Sequence, residues 1–524
     1  MKLLVVAAVF LVLTGLPLAT ALIRSGPLAL AAAPTCSGLV CAFAGMACLA
    51  TGTALRPWVV AFTLLTWVVA AEVAVRRRPS WRVGAGSLTR GSPDAHDEPD
   101  VADVREATDS GRSGLLGWLP AGLVAALMAP VLAATTSPPV EWDARAIWWF
   151  HGLWFWQGGD AVARAMANPA FSWSHQDYPP LYPASSGALW TFYDPADRAL
   201  AKALGSGLTF GAVLLIACVL VTLAPRRLRW PAAVAAGLLG MGLFGIGHGN
   251  GTAGHVDLLW AASYGAAALA LLVAPARRDM VVIGALSAMA AALTKNEAVP
   301  AVLLLIVLFV IRHRAEWRRA AAMAAVMVPT VLWSAETAHF FHGQNDSLSV
   351  SGLKGLLLGD HQYTDRVPPT LSAMWHQVGP TLLATLAITA VALLGLGRQR
   401  RRQGLGSFVW LPLVTLGVAA SFLLIYATGP HEVHWWLFTS IDRTMIVVRL
   451  MLVVEVAVWL VVGLSAWLDP HGPRQARRVD REARRRAESD DATVAPERAP
   501  QDMTAGSAHV RARARITNRL LRPY

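Results

Sequence analysis

Apolar runs, most of them roughly 17–25 residues and so long enough to cross ~30 Å of hydrocarbon, alternate along this chain with short polar stretches. They fall at about 1–23, 28–50, 57–75, 115–134, 200–224, 231–249, 256–274, 280–294, 298–311, 320–337, 378–397, 406–427 and 444–468. The pattern predicts an all-α polytopic membrane protein with about 13 transmembrane helices. Four regions follow: a three-helix membrane segment at 1–78, a flexible cytoplasmic linker at 79–114, a membrane core at 115–468 and a disordered cytoplasmic tail at 469–524. The linker and tail are rich in Gly, Ser, Arg and acidic residues and lack the apolar periodicity of a packed helix.

The polar stretches sort by charge. Arg226, Arg227 and Arg229, then Arg277 and Arg278, then Arg312, Arg314, Arg318 and Arg319, then Arg398 and Arg400 to Arg402 occupy every second loop. The loops between carry Glu141, Asp143, Asp177, Asp257, Glu297, Glu432 and Asp442 with few cations. By the positive-inside rule the basic loops are cytoplasmic and the acidic, aromatic loops extracytoplasmic, in a plasma (inner) membrane. Residues 1–23 resemble a signal peptide, but only an uncleaved first crossing brings Arg76, Arg77 and Arg78 to the basic side.

Composition then narrows the classes. At 55% hydrophobic and 15% charged, the chain is not an ordinary soluble protein, and its +12 net charge is accounted for by the basic loops and tail. No nucleic-acid partner is expected; membrane lipids are. Cys36, Cys41, Cys48 and Cys218 all lie in apolar runs without metal-ligand spacing and read as buried small residues.

The chemistry-bearing residues gather in the acidic loops. The longest, 135–199, is expected to carry short interfacial helices. In EWDARAIWWFHGLWFW, the residues Trp142, Ala146, Trp149, Leu153 and Trp156 share one face if the stretch is helical. That face serves either as an aromatic belt or as a stacking surface for a sugar or lipid headgroup. Glu141 and Asp143 sit at headgroup height just past a crossing, where a carboxylate can deprotonate a hydroxyl or simply pair with Arg145. In HQDYPPLYP two adjacent prolines hold the backbone extended, presenting His175, Asp177 and Tyr178 rigidly or merely forming a turn. TKNE places Lys295 and Glu297 between two short apolar segments. There they form a structural ion pair or leave Lys295 as a counter-charge for a phosphate. Arg443, in SIDR at the head of the last crossing, offers a second cation or a helix anchor. His248 to Asp257 and His431, Glu432 and His434 contain ligand types suited to a divalent metal, so a metal is a possible cofactor, though their spacing across separate loops assigns no site.

Three stretches, WDARAIW (Trp142 to Trp148) with DYPPLYP (Asp177 to Pro183), LTKNEAVP (Leu293 to Pro300) and WWLFTSIDR (Trp435 to Arg443), resemble patterns of the GT-C superfamily of polyprenyl-phosphate-dependent glycosyltransferases. The nearest are bacterial relatives of the protein O-mannosyltransferases and aminoarabinose transferases. The resemblance covers about 115–468 and implies a GT-C-like core with a long first outer loop. It also implies inverting transfer of a sugar from a polyprenyl-phosphate donor to a glycan, lipid or protein hydroxyl. Carried over by position, Asp143 is the catalytic base, with Glu141 its substitute. Lys295, Arg443 and His175 stabilise the departing phosphate. Tyr178 stands where relatives place Lys or His before Pro-Pro-Leu. A lipid-linked glycan flippase or transporter, which would show repeated halves and mid-membrane charges, and a non-enzymatic envelope-assembly protein are the alternatives.

Overall fold

The computed structural model describes residues 2–77, 115–133, 141–193, 197–224, 228–246, 253–274, 277–313, 317–340, 350–395 and 409–468. The expected linker at 79–114 and tail at 469–524 lie outside them. Every regular element among the described residues is helical. The long helices, in chain order, are α1 (Lys2–Leu22), α2 (Gly26–Thr51), α3 (Leu55–Arg77) and α4 (Leu115–Ala133). Three short ones follow, α5 (Trp149–Gln157), α6 (Gly159–Ala167) and α7 (Leu181–Trp190). Next come α8 (Arg198–Leu223), α9 (Arg229–Gly245), α10 (Asp257–Ala268, extended by a π turn to Val273), α11 (Arg278–Ala292) and α12 (Ala298–Arg312). The chain closes with α13 (Trp317–Ala324), α14 (Val328–Phe340), α15 (Val350–Leu357), α16 (His361–Thr364), α17 (Val367–Gly395), α18 (Trp410–Thr428), α19 (Val433–Thr444) and α20 (Ile446–Leu468).

Each of the thirteen apolar segments coincides with a helix. By length and composition eight helical stretches can cross a membrane: Lys2–Leu22, Gly26–Thr51, Leu55–Arg77, Arg198–Leu223, Ala321–Phe340, His361–Gly395, Trp410–Thr428 and Val433–Val461. Trp118–Leu132, Asp257–Val273 and Ala298–Arg312 are apolar but shorter. At 17 and 15 residues, α9 and α11 rise only about 25 and 22 Å. The protein is thus a helical membrane protein with eight candidate spans among its described residues.

Packing follows small residues. A Cβ on Gly15 of α1 would lie 1.9 Å from the Ala33 carbonyl oxygen of α2, so the two backbones touch. Beside that contact the Thr14 and Ser37 hydroxyls hydrogen-bond across the helix pair. Without a hydrophobic driving force between helices in lipid, such close approach and interhelical bonds supply the adhesion. The largely buried α2 packs on α8 and α7, so the first three helices belong to one compact unit running to Trp467. By contrast α3 and α17 present exposed apolar faces, including Leu64, Val68, Leu383 and Val391, as helices bathed in lipid do.

The loops collect at two ends. At one, Asp279 accepts the backbone N–H groups of Arg24 (3.2 Å) and Ser25 (3.0 Å), while the Arg77 guanidinium donates to the carbonyls of Thr20 (3.0 Å) and Ala21 (2.8 Å). By connectivity Arg312 reaches this end too, its guanidinium 5.9 Å from the Trp410 ring. Toward it, α8, α9 and α20 enclose an apolar groove of about 400 Å³ lined by residues such as Leu220, Leu228, Leu239 and Leu460. At the other end the 141–193 segment is stitched to the rest through its backbone. Gly159 N–H donates to Thr53 (2.7 Å), Leu181 N–H to Leu293 (2.9 Å) and Glu141 N–H to Ala253 (3.4 Å). The first ties the segment to the α2–α3 turn, the second joins PPLYP to the TKNE turn, and the third joins EWDAR to the GHVD turn.

Candidate functional site

The first element of the site is a helix that does not wind as its periodicity suggests. Ala144–Trp148 forms a π turn ahead of α5. The wider turn rotates everything beyond it, so the expected face of Trp142, Ala146, Trp149, Leu153 and Trp156 breaks up. Trp142 is 56% exposed and Trp149 only 3%. The Trp149 indole instead donates to the Tyr182 hydroxyl at 2.9 Å, which donates to the Ala201 carbonyl at 3.0 Å.

Asp143 stands at the mouth of that π turn. Its carboxylate does not turn to Arg145, two residues on. It pairs with Arg443, 300 residues away in the last turn of α19. A helix C-terminus favours a cation, and Glu432 secures the opposite end of α19 by accepting the N–H groups of His434 (2.9 Å) and Trp435 (2.6 Å). Those two bonds hold the fully exposed Glu432 carboxyl below its ordinary range.

A turn at Ala253–Val256 brings in the next groups. Gly254 has φ +92°, and a Cβ there would lie 2.8 Å from that of Ala144; only glycine takes this conformation without strain. The following residues, His255 and Asp257, are carried to the Asp143–Arg443 pair. Asp257, its side chain 3% exposed, accepts from the Lys295 ammonium at 2.8 Å, and Lys295 reaches Glu297 at 3.0 Å. Burial by itself would depress the Lys295 ammonium, but the carboxylates of Asp257 and Glu297 outweigh it and hold the group well above its ordinary value. His255 Nδ1 lies 3.8 Å from the second Asp257 oxygen.

Tyr178 closes the cluster. Its ring is stacked between Trp148 (centroids 5.1 Å apart, 15°) and His175 (4.8 Å, 9°), with the Lys295 ammonium 6.0 Å from its centre. Burial and the Glu297 carboxylate push its phenol well above the usual range, so it stays neutral. His175 adopts φ +53° at the close of the 3₁₀ turn Pro169–Ser174. That turn is braced from below: His151 Nε2 meets the Ser174 hydroxyl at 3.1 Å, and Ser174 donates to the Phe171 carbonyl at 2.7 Å. Burial lowers His151 to about 3, so its ring is neutral. The Asp177 carboxylate accepts from the Asn296 amide at 2.7 Å, and its carbonyl accepts from the Trp333 indole at 3.2 Å. The double-proline element is therefore clamped to the TKNE turn.

Of the residues singled out in sequence, Asp143, Arg443, Lys295, Glu297 and Tyr178 share one electrostatic cluster. Asp177 faces Asn296, His175 is stacked on Tyr178, and Glu141 lies exposed. Sequence reasoning placed Asp257 in an outer loop and weighed the His248 to Asp257 stretch only for a metal, and so missed Asp257 as the more deeply buried partner of Lys295, with His255 beside it. The signal was present, since GHVD supplies a carboxylate at the first residue of an apolar helix, where water is scarce and a cation is needed. Among the described residues no three His, Cys, Asp or Glu side chains converge as a metal site, and His248 lies outside the described residues.

These features define a membrane-embedded helical protein with a built, charged cluster at one end. No family model, curated protein or solved structure matches the chain.

Proposed function

We propose that this chain is an inverting, GT-C-type glycosyltransferase that moves a sugar from a polyprenyl-phosphate donor to an extracytoplasmic hydroxyl of a glycan, lipid or protein. The observation that carries the reading is the meeting of one half-exposed carboxylate, Asp143, with two half-buried or buried cations, Arg443 and Lys295, at a single end of the bundle. Transfer with inversion needs a base on one side of the anomeric carbon and positive charge where the phosphate departs. Asp143 takes the acceptor proton as the new C–O bond forms. The C–O bond to phosphate breaks with its electron pair on the phosphate, which Lys295 and Arg443 neutralise, with His175 at the rim.

On this proposal the donor's prenyl tail extends toward the apolar groove: along the helical stretch Val433–Val461, Val456 and Leu460 of its lining lie about 20–26 Å from Arg443 at 1.5 Å per residue. In this reading the cluster faces outward and the arginine-bearing end faces the cytoplasm of an inner membrane. The transporter alternative has observations of its own: Glu455, 5% exposed, sits midway along α20, and Glu336, in the Ala321–Phe340 stretch, has one buried carboxylate oxygen without a hydrogen-bond partner. Two separate carboxylates do not by themselves supply an alternating pathway, and the sequence shows no clear internal repeat.

The test is reconstitution in liposomes with radiolabelled polyprenyl-phosphate sugars, comparing the native chain with Asp143→Asn. A loss of about 100-fold or more in transfer with donor binding retained is expected. Undiminished transfer by the variant would remove Asp143 as base, and no transfer by the native chain from any such donor would remove the reading.

A further inference from the structure

One cation near the cluster has no carboxylate of its own. Arg449 is half-buried inside the Val433–Val461 stretch, where a charge facing lipid is costly and is kept only with a partner or a function. Its Nη2 donates to the Asp442 carbonyl at 2.6 Å, and its Nε is buried without a hydrogen-bond partner. Asp442 acts on it through its charge, but the hydrogen bond goes to that residue's backbone. Arg443 and Lys295, by contrast, are held by Asp143 and by Asp257 with Glu297. A buried donor left open is rare in a native fold and calls for an account.

Its height and its direction say what would fill it. The Asp442 carbonyl belongs to the peptide bond leading into Arg443, so the Arg449 guanidinium reaches back to the level of the Asp143–Arg443 pair. From Met445 to Val461 only Arg449, Val453, Val456, Ala457, Leu460 and Val461 escape burial. Their spacing, i, i+4, i+7, i+8, i+11 and i+12, is one face of a helix, and the last four line the apolar groove shared with α8 and α9. A single open stripe therefore runs from a cation with an unpartnered donor down into the groove, about 10 Å to Val456 and about 16 Å to Leu460 at 1.5 Å per residue. Positive charge at one end and hydrocarbon along the rest complement an amphiphile with an anionic head and an apolar chain, and phosphate oxygens match the guanidinium donors.

We infer that Arg449 binds the phosphate of the polyprenyl donor, and that the open stripe of α20 below it carries the first part of the prenyl chain into the groove. The stripe begins beside the proposed reaction centre, so its occupant is the lipid on which that centre acts and not a bystander phospholipid. Arg449 adds a cation that no carboxylate already holds, whereas a phosphate at Arg443 or Lys295 competes with Asp143, Asp257 and Glu297. This inference rests on the glycosyl-transfer reading for the identity of the lipid; the cation and the stripe are defined without it.

The experiment measures binding apart from transfer. The full-length chain in micelles is titrated with fluorescently labelled, sugar-free polyprenyl phosphate, and with polyprenol, phosphatidylglycerol and inorganic phosphate for comparison. Arg449→Gln should weaken polyprenyl phosphate by about 10–100-fold and Arg449→Lys by less, with polyprenol unchanged in both. Ala235→Trp, which fills the groove from an exposed position, should weaken both prenyl lipids. Unaltered affinity for polyprenyl phosphate in Arg449→Gln overturns the inference. So does phosphatidylglycerol bound as tightly and with the same dependence on Arg449, which makes the stripe a site for bilayer phospholipid, or inorganic phosphate bound as tightly as the lipid, which leaves the chain no part. Should the glutamine variant not fold, undiminished binding by Ala235→Trp overturns the assigned path. If the native chain transfers no sugar yet binds polyprenyl phosphate through Arg449, the glycosyl-transfer reading falls and the lipid site stands. If Arg449→Gln binds and transfers as the native chain does while Asp143→Asn loses transfer, the inference alone falls.

Discussion

Replacing Lys295 by methionine tests whether the cluster is held as the structure holds it. The ammonium is shared between Asp257 at 2.8 Å and Glu297 at 3.0 Å, with side chains 10%, 3% and 18% exposed. Removing one member of a buried pair costs about 3–5 kcal/mol, because the remaining charge is left in a low dielectric without compensation. Here two carboxylates would be stranded, so the upper part of that range applies. Methionine nearly matches the lysine stem, which keeps the cavity term small. A cycle with Asp257→Asn separates the pair from other effects. Asparagine alone leaves Lys295 with Glu297 and should cost less than methionine alone, while the double variant should be more stable than the sum predicts by about 1–3 kcal/mol. Unfolding in mixed micelles, followed by the fluorescence of the 21 tryptophans, reports all four corners. A cost below about 1 kcal/mol for Lys295→Met, or strict additivity in the cycle, would refute the claim that Lys295 neutralises a buried Asp257.

Two further outcomes bear on the scaffold of the site. Gly254→Ala places a Cβ at φ +92° and 2.8 Å from that of Ala144; a destabilisation of about 1–3 kcal/mol is expected in the same micelle assay, and a neutral result would mean that the GHVD turn does not dock as described. His151→Gln keeps a donor for Ser174 but has no acid form to gain. Since the folded ring is held near 3 against an unfolded value near 6.5, the native chain takes up a proton on unfolding and loses about 1.4 kcal/mol per pH unit below about 6. Above pH 7 this contribution is fully present, and the glutamine variant should show a shallower decline between pH 6 and 4; parallel pH curves for the two proteins would contradict a neutral, buried His151.

The helices were legible because an apolar run of sufficient length has few other ways to satisfy its backbone in lipid. The misjudged boundaries lie where polar residues continue a helix outside the apolar stretch. The segment expected at about 378–397 begins at Val367, since Pro368 and Pro369 fall in the first turn, where a missing N–H is tolerated. The crossing expected at about 444–468 is preceded by α19, whose polar and aromatic residues hid its continuity with α20. Nothing in the alternation of apolar and polar residues marks the π turn at Ala144–Trp148, whose first residue packs against Gly254.

The site divides along a physical line. Residue types were readable, because a Lys, an Asp or an Arg beside an apolar helix is costly and so stands out. Partners were readable only where they are close in sequence. Lys295 shows both cases at once: Glu297, two residues away, was evident, whereas Asp257, 38 residues away, was not. Yet Asp257 is the more buried of the two carboxylates, and ion pairing gains strength as water is excluded. Asp143 repeats the lesson, passing over Arg145, two residues on, for an arginine delivered by α19. In a bundle whose helices each carry only one or two charges to the same end, it is the order of packing that decides which charges meet, and a pair formed across helices fixes their relative height in a way that a pair within one turn cannot. The Asp143–Arg443 and Asp257–Lys295 pairs therefore do two things: they neutralise buried charge, and they hold the first acidic loop, α10, the α11–α12 turn and the end of α19 at a common level.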